Sequence, residues 1–165
     1  ILLNDPDISS DKLIAKVNRV MYQNIKQRLG EDHFMTLSFM VADPDGTVHY
    51  AGAHLDILVY RHTTKEVERI ETLGVWLGLV PDIERNTVEK SFKLESGDLM
   101  FLYTDGLIEA TNDKNEQYDM ERLINKLKEL GDKPVKEIEE AIINEVFSFL
   151  HEQKDDITFV IARKK

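Results

Sequence analysis

The chain has 165 residues, with 31 acidic and 21 basic side chains, a formal net charge of -10 and no cysteine. Its length predicts a single domain spanning 1–165. Its negative charge argues against binding to the phosphate backbone of a nucleic acid. The lack of cysteine excludes disulfides, thiolate metal sites and cysteine nucleophiles, so Asp, Glu, His or carbonyl groups would have to hold any metal.

The first half of the chain predicts one helix followed by strands. Apolar residues recur at three- and four-residue steps between Ser10 and Leu29, which is typical of an amphipathic helix. Apolar runs separated by turn residues then predict two strand pairs, at 34–42 with 47–50 and at 55–60 with 67–73. Glycines and a proline interrupt the apolar segment 74–81, so we expect a packed loop there.

The second half predicts further strands, two helices and a final strand. Strands are expected at 88–94 and 99–103, with a chain corner at 104–106, helices at 118–130 and 134–151, and a last strand at 157–162. Strands joined by short turns are mainly antiparallel. The fold class we expect is therefore α+β, with helices outside the sheets.

Acidic residues stand at the ends of two of these strands. Asp105 follows the apolar run LMFLY, and Asp155 and Asp156 precede the run ITFVIA. If the two strands are neighbours, the carboxylates converge, and Mg²⁺ and Mn²⁺ prefer such oxygen ligands. Because a metal-bound water is a nucleophile near neutral pH, the pattern favours hydrolysis of a phosphate ester. The alternative is that these aspartates only form turns or cap strands.

Short motifs along the chain carry a resemblance to a known family. They are Phe34–Thr36, Tyr50–His54, Gly74–Leu79, Tyr103–Ala110 and Asp155–Thr158. The last two, with the sequences YTDGLIEA and DDIT, are the most specific. With them the chain resembles the metal-dependent serine/threonine protein phosphatases (PPM type), in the bacterial branch of stage II sporulation protein E and the sigma-factor-regulator phosphatases.

The resemblance implies an αββα sandwich and a binuclear Mn²⁺ or Mg²⁺ centre, where a bridging water attacks a phosphoserine or phosphothreonine of a protein substrate. It implies that Asp105 and Asp155 are ligands of one metal and act in catalysis, that Asp156 belongs to the same metal site and supports it, and that Gly106 permits a close turn. Whether Asp155 or Asp156 is the direct ligand stays open. A phosphorylated STAS-domain anti-anti-sigma factor is the implied substrate, in partner-switching signalling.

Two family motifs, G-D-x-x-D and D-x-x-G-H-G, do not occur in the chain. In the family they supply the bridging aspartate and the contacts of the second metal. We therefore expect a phosphatase-type domain that lacks its first strands, binds metal poorly and turns over slowly or not at all by itself. A two-metal mechanism depends on both ions, so the loss of a shared carboxylate weakens both sites.

The sequence also allows other interpretations. The chain is alternatively a catalytically silent binding or dimerisation module that keeps the phosphatase fold. A homodimer and an upstream sensor domain are possible partners, although the first helix is expected to bury its apolar face in its own core rather than to transmit a signal. His54 is expected to be a hydrogen-bonded structural residue. No apolar run is long enough to cross a bilayer, so we expect a cytoplasmic domain, either independent or attached to a membrane-anchored parent.

Overall fold

The computed structural model describes residues 8–26 and 33–165. In chain order its helices and strands are α1 (Ser10–Asn24), β1 (Leu37–Ala42), β2 (Thr47–Ala53), β3 (Ile57–Tyr60), β4 (Val67–Ile70), β5 (Lys90–Lys93), β6 (Leu99–Tyr103), α2 (Asp105–Ile108), α3 (Asp119–Leu130), α4 (Val135–Phe149) and β7 (Phe159–Arg163). Among the described residues, no helix is long and apolar enough to cross a membrane.

The contacts divide the chain into two compact units. The first contains a three-stranded sheet in the order β1-β2-β5, in which both strand pairs are antiparallel. Helix α1 packs on β1 and β2, and it buries Leu13, Ile14 and Ala15. The apolar stripe of α1 is thus part of this unit's core, as expected from its spacing.

The second unit contains the four-stranded antiparallel sheet β4-β3-β6-β7 together with α2, α3 and α4. Side chains from the strands and the helices share one core, whose fully buried members include Leu58, Phe101, Leu123, Leu127 and Ile142. This core fixes β6 and β7 side by side. The ends of these two strands carry the predicted acidic residues.

The predicted fold class is confirmed: the protein is α+β, with antiparallel sheets flanked by helices. Residues 27–29 of the predicted first helix lie outside the described residues. The strands predicted at 88–94 and 99–103 both form, but they separate into the two sheets instead of pairing with each other. The corner expected at 104–106 opens a four-residue helix, α2, which is too short to produce a helical repeat in the sequence.

Candidate metal centre

The candidate site lies where β6 ends and β7 begins. The two strands pair antiparallel, with Tyr103 opposite Phe159. Asp105 follows β6, and Asp155 and Asp156 precede β7. All three aspartates therefore lie at the same end of this strand pair. The condition set by the sequence, that the two strands be neighbours, is met, and all three aspartates are exposed to solvent.

Thr104 connects the two acidic segments. Its backbone N–H donates to the carbonyl of Thr158 over 2.9 Å. Its hydroxyl donates to the carbonyl of Asp156 over 3.0 Å and accepts the backbone N–H of Thr158, also over 3.0 Å. The ladder between β6 and β7 is thus extended by one residue pair beyond the strands themselves, which fixes the backbone on both sides of the site.

Gly106 brings the segments closer than any other residue would allow. A Cβ atom added at this position would lie 2.5 Å from the carbonyl oxygen of Asp156 and 3.4 Å from the carbonyl carbon of Asp155. Both are backbone atoms, which cannot move aside as a flexible side chain would. The expected role of Gly106, to permit a close approach, fits this geometry.

Local hydrogen bonds orient two of the carboxylates. Asp105 Oδ1 accepts the backbone N–H of Gly106 over 3.0 Å, and Asp155 Oδ1 accepts the backbone N–H of Asp156 over 2.7 Å. Within the described part of the chain, the second oxygen of each carboxylate accepts no hydrogen bond and is available to another partner. Hard divalent cations take such oxygen ligands, often one per carboxylate together with several waters. The donor set fits Mg²⁺ or Mn²⁺ in its chemistry.

The site has few side chains that could bind a metal ion. Within residues 8–26 and 33–165, no group of three or more His, Asp or Glu side chains is arranged to hold a metal ion. Asp105, Asp155 and Asp156 therefore share one edge of the sheet without forming a closed coordination shell. This arrangement suits an open site that depends on water or on further ligands.

A small cavity of about 240 Å³ opens beside the aspartates. Gly106 and Asp155 line it, together with Glu109, Glu152 and Lys154. Lys154 is the only cationic residue of this lining. Acidic and basic side chains therefore both line the cavity next to the proposed metal ligands.

Tyr103, the last residue of β6, lies directly behind the site. Burial, together with the nearby negative charge of Asp56, raises the pKa of its phenol to about 12. Its hydroxyl contacts the sulfur of Met120 at 3.6 Å. Tyr103 therefore stays protonated at physiological pH, and its position favours a packing role over acid–base chemistry.

His54 is hydrogen-bonded, as expected. Its Nδ1 lies 3.1 Å from the hydroxyl of Thr36, and its backbone N–H donates to the hydroxyl of Thr72 over 2.9 Å. Three loop segments of the first unit meet at this histidine. The contacts support the structural interpretation of His54.

Thr104 and Thr158 have a structural role that was not predicted, although both belong to the motifs YTDGLIEA and DDIT. Thr104, next to Asp105, binds the segment of Asp155 and Asp156 through its hydroxyl. A hydroxyl beside an aspartate at a strand end is the available signal, because Ser and Thr side chains readily bond nearby backbone groups. Only the pairing of β6 with β7 reveals the partner.

The sequence model of the family Stage II sporulation protein E (SpoIIE) matches residues 2–165. The chain belongs to this family. No curated protein sequence matches the chain at a significant level.

Solved structures of phosphatase domains share its fold. The SiaA-PP2C domain of Pseudomonas aeruginosa has a TM-score of 0.81 at 18% identity, covering 99% of this chain and 64% of that one. The Mn-presoaked phosphatase domain of SpoIIE from Bacillus subtilis has a TM-score of 0.62 at 18% identity, covering 96% and 68%. The RsbU and RsbW domains of Rv1364c from Mycobacterium tuberculosis give 0.74 at 18% identity, covering 99% and 44%. The chain thus spans less than two thirds of the SiaA domain, and the likeness concerns the fold.

Proposed function

We propose that this chain is the part of a metal-dependent phosphoserine/phosphothreonine protein phosphatase that carries Asp105, Asp155 and Asp156. The main support is the close approach at Gly106, where the backbone segments of these aspartates touch. Membership in the SpoIIE family and the PP2C-type fold support the same reaction class.

In this proposal Asp105 and Asp155 would hold the same Mn²⁺ or Mg²⁺ ion through their carboxylates. One oxygen of each stays bonded to the next backbone N–H, which fixes the direction of each ligand. Asp156 adds negative charge beside them. A bound divalent ion lowers the pKa of its water and offsets charge on the phosphoryl oxygens. Thr104 holds the two segments together by its hydrogen bonds.

The 165-residue chain alone is expected to bind metal weakly and to hydrolyse phosphate esters slowly or not at all. The described residues bring no third acidic or histidine ligand to the site, and the chain has neither G-D-x-x-D nor D-x-x-G-H-G. Weak metal binding follows from the small number of ligands. Appreciable Mn²⁺-dependent hydrolysis of p-nitrophenyl phosphate by this chain would contradict this expectation.

The proposed substrate is a phosphorylated STAS-domain anti-anti-sigma factor, which would place the protein in partner-switching signalling. Two of the solved structures point to this setting by their names, because they contain domains called SpoIIE and RsbU. The cavity beside Asp155 has room for a side chain next to the phosphorylated residue.

A catalytically silent module with the same fold is the second candidate. The observation in its favour is again the missing third ligand among the described residues. Such a module does not need a divalent metal ion, whereas the phosphatase does need one. The two candidates therefore differ in whether Mn²⁺ reaches Asp105 and Asp155 at all.

Paramagnetic broadening of amide NMR signals during a Mn²⁺ titration tests this difference, because it detects binding that is too weak for calorimetry. We expect the amide signals of Gly106 and Asp156 to broaden first in the wild-type chain. Asp105→Asn should abolish this selective broadening. Asp113→Asn changes an exposed aspartate elsewhere in the same unit and should leave the pattern intact. If all amide signals of the wild type broaden weakly and equally, with no stronger effect near Gly106, the silent module is favoured.

A further inference from the structure

Lys154 lies on the segment between α4 and β7, immediately before the two aspartates of the candidate site. Both ends of this segment are tied to neighbouring backbone. The N–H of His151 donates to the carbonyl of Thr111 over 2.9 Å, and the carbonyl of Asp156 accepts the hydroxyl of Thr104 over 3.0 Å. The backbone of Lys154 is therefore held beside the candidate metal centre, while its side chain is exposed.

Two cavities meet at Lys154. One is the cavity of about 240 Å³ beside the aspartates, and the other is an open hollow of about 360 Å³. Gln153, Lys154 and Asp155 line both cavities, and Asp156 completes the lining of the hollow. Among the described residues that line the two, Lys154 is the only cation. Its ammonium group therefore supplies the positive charge next to the proposed metal ligands.

The ammonium group of Lys154 makes no hydrogen bond or ion pair within residues 8–26 and 33–165, although Glu152 and Asp155 are close to it in the sequence. Other lysines of the same unit are paired: the Nζ atoms of Lys65 and Lys126 each lie 2.7 Å from a carboxylate oxygen. A ligand can therefore bind Lys154 without breaking a contact inside the described part of the protein.

The charge around Lys154 indicates which ligand needs it. The proposed reaction brings a phosphoryl group, with a charge of about -1.5 to -2, to a place where the three aspartates of the candidate site lie beside Glu109 and Glu152. One divalent ion offsets only part of this negative charge. Charged donors form the strongest hydrogen bonds to phosphate, and a lysine ammonium is a common donor of this kind. A phosphomonoester is therefore the ligand that Lys154 suits.

We propose that Lys154 is a phosphate-binding residue, whose ammonium group donates hydrogen bonds to the phosphoryl oxygens of a phosphoserine or phosphothreonine held beside Asp155. This inference rests on the proposed phosphatase function and adds a residue that precedes the motif DDIT. A positive charge attracts the phosphate dianion and repels a divalent cation, so Lys154 acts on the two ligands in opposite directions. A residue with a purely structural role would not have this pair of opposite effects.

Amide NMR of the 165-residue chain tests the proposal through binding, without any need for turnover. The probe is a blocked tripeptide with phosphoserine between two alanines, added in excess Mg²⁺, and phosphorus NMR checks that it stays intact. The amide signals of 153–156 should shift until they saturate. Lys154→Gln should weaken binding at least about fivefold, whereas Lys154→Arg keeps the charge and should stay within about threefold of the wild type. The unphosphorylated peptide should cause no shift.

Lys136→Gln is the matched control. Lys136 belongs to the same unit, its side chain is 84% exposed, and it lies in the first turn of α4, at the opposite end of this helix from the segment of Lys154. This variant should bind the peptide like the wild type. The amide spectrum of each variant shows whether it is folded. The proposal fails if the wild type does not bind the peptide, if Lys154→Gln binds it equally well, or if Lys154→Arg or Lys136→Gln loses as much affinity as Lys154→Gln.

The Mn²⁺ titration of the same variants separates this inference from the proposed phosphatase function. Lys154→Gln should raise the apparent Mn²⁺ affinity about twofold, because it removes a positive charge beside the candidate metal centre. If Mn²⁺ selectively broadens the signal of Gly106 but peptide binding does not depend on Lys154, this inference is overturned and the phosphatase proposal stands. If the wild type shows no selective broadening, the phosphatase proposal fails and this inference fails with it. Weaker binding of both ligands by Lys154→Gln would mean a structural role and would equally overturn the inference.

Discussion

The two ends of β6 carry one aspartate each, and the two differ in almost every physical respect. Asp98 precedes the strand and is 1% exposed. Its carboxylate accepts hydrogen bonds from Arg61 Nη1 at 2.7 Å and from the backbone N–H groups of His62 and Glu95 at 2.9 and 3.1 Å. Asp105 follows the strand and is exposed. Among the described residues its side chain makes one hydrogen bond, to the backbone N–H of Gly106.

The difference separates a structural aspartate from one that is available for chemistry. Both oxygens of Asp98 are used within the protein, so this carboxylate cannot bind a ligand without breaking bonds that it already makes. The second oxygen of Asp105 accepts no hydrogen bond from residues 8–26 or 33–165, and the backbone fixes its position at a strand end. Available oxygens on a fixed backbone are what a metal ion requires.

The largest effect on stability is expected at the buried end. Asp98→Ala removes the acceptor of Arg61 Nη1 and of two backbone N–H groups, while the ion pair of Arg61 with Glu68 remains. Breaking a buried, hydrogen-bonded ion pair from one side costs about 3 kcal/mol or more. Urea unfolding should therefore show a loss of this size, whereas Asp113→Ala should change the free energy of unfolding by less than about 0.5 kcal/mol. Equal stability of the two variants would remove the structural role assigned to Asp98.

A smaller loss is expected from Gly106→Ala at the exposed end. The new methyl group would lie 2.5 Å from the carbonyl oxygen of Asp156, so one of the two backbones must shift. Overpacking of this kind costs about 1 to 3 kcal/mol. The NMR signals of Asp155 and Asp156 should move, and the selective Mn²⁺ broadening should disappear. Unchanged shifts in this segment would show that the close approach does not form in solution.

Local sequence could not have told these aspartates apart. Asp98 follows Gly97 and Asp105 precedes Gly106, so both resemble turn residues beside a glycine. The apolar run before Asp105 predicted that this aspartate follows a strand, and it does follow β6. Two of the three donors to the Asp98 carboxylate come from Arg61 and His62, more than 30 residues away along the chain, and no local pattern contains them.

The fold shows the same division between local and distant information. Regular periodicity predicted α3, α4 and the strands β6 and β7 within a few residues. It could not predict that β5 and β6, adjacent in sequence, enter different sheets, because strand partners depend on tertiary packing. Convergence of Asp105 with Asp155 was likewise conditional on a pairing that only the structure provides.

Asp105→Asn, after the end of β6, should lower Mn²⁺ affinity without lowering the free energy of unfolding. The amide keeps the size of the side chain and removes its charge, so the free energy of unfolding should change by less than about 0.5 kcal/mol. The apparent Mn²⁺ affinity should fall at least about tenfold, which is 1.4 kcal/mol in binding free energy. Asp98→Asn is the converse variant and should lower stability while sparing Mn²⁺ binding. A loss of stability in Asp105→Asn without a loss of Mn²⁺ affinity would reverse the two roles.

The smallest expected effect is on how the free energy of unfolding depends on pH in the acid range, which tests the role of Asp98. Burial, the largest single influence, raises the pKa of Asp98, but the hydrogen bonds from Arg61, His62 and Glu95 outweigh it and hold the pKa below its usual value of 3.8. Stability from this carboxylate is therefore present above about pH 4 and is lost as the pH falls through the folded-state pKa. Asp98→Asn lacks this contribution at every pH. Below pH 4, its unfolding free energy should fall less steeply with acidification than that of the wild type, by up to about 1.4 kcal/mol per pH unit. Parallel curves for the two proteins would mean that Asp98 titrates alike when folded and unfolded, which its three donors should prevent.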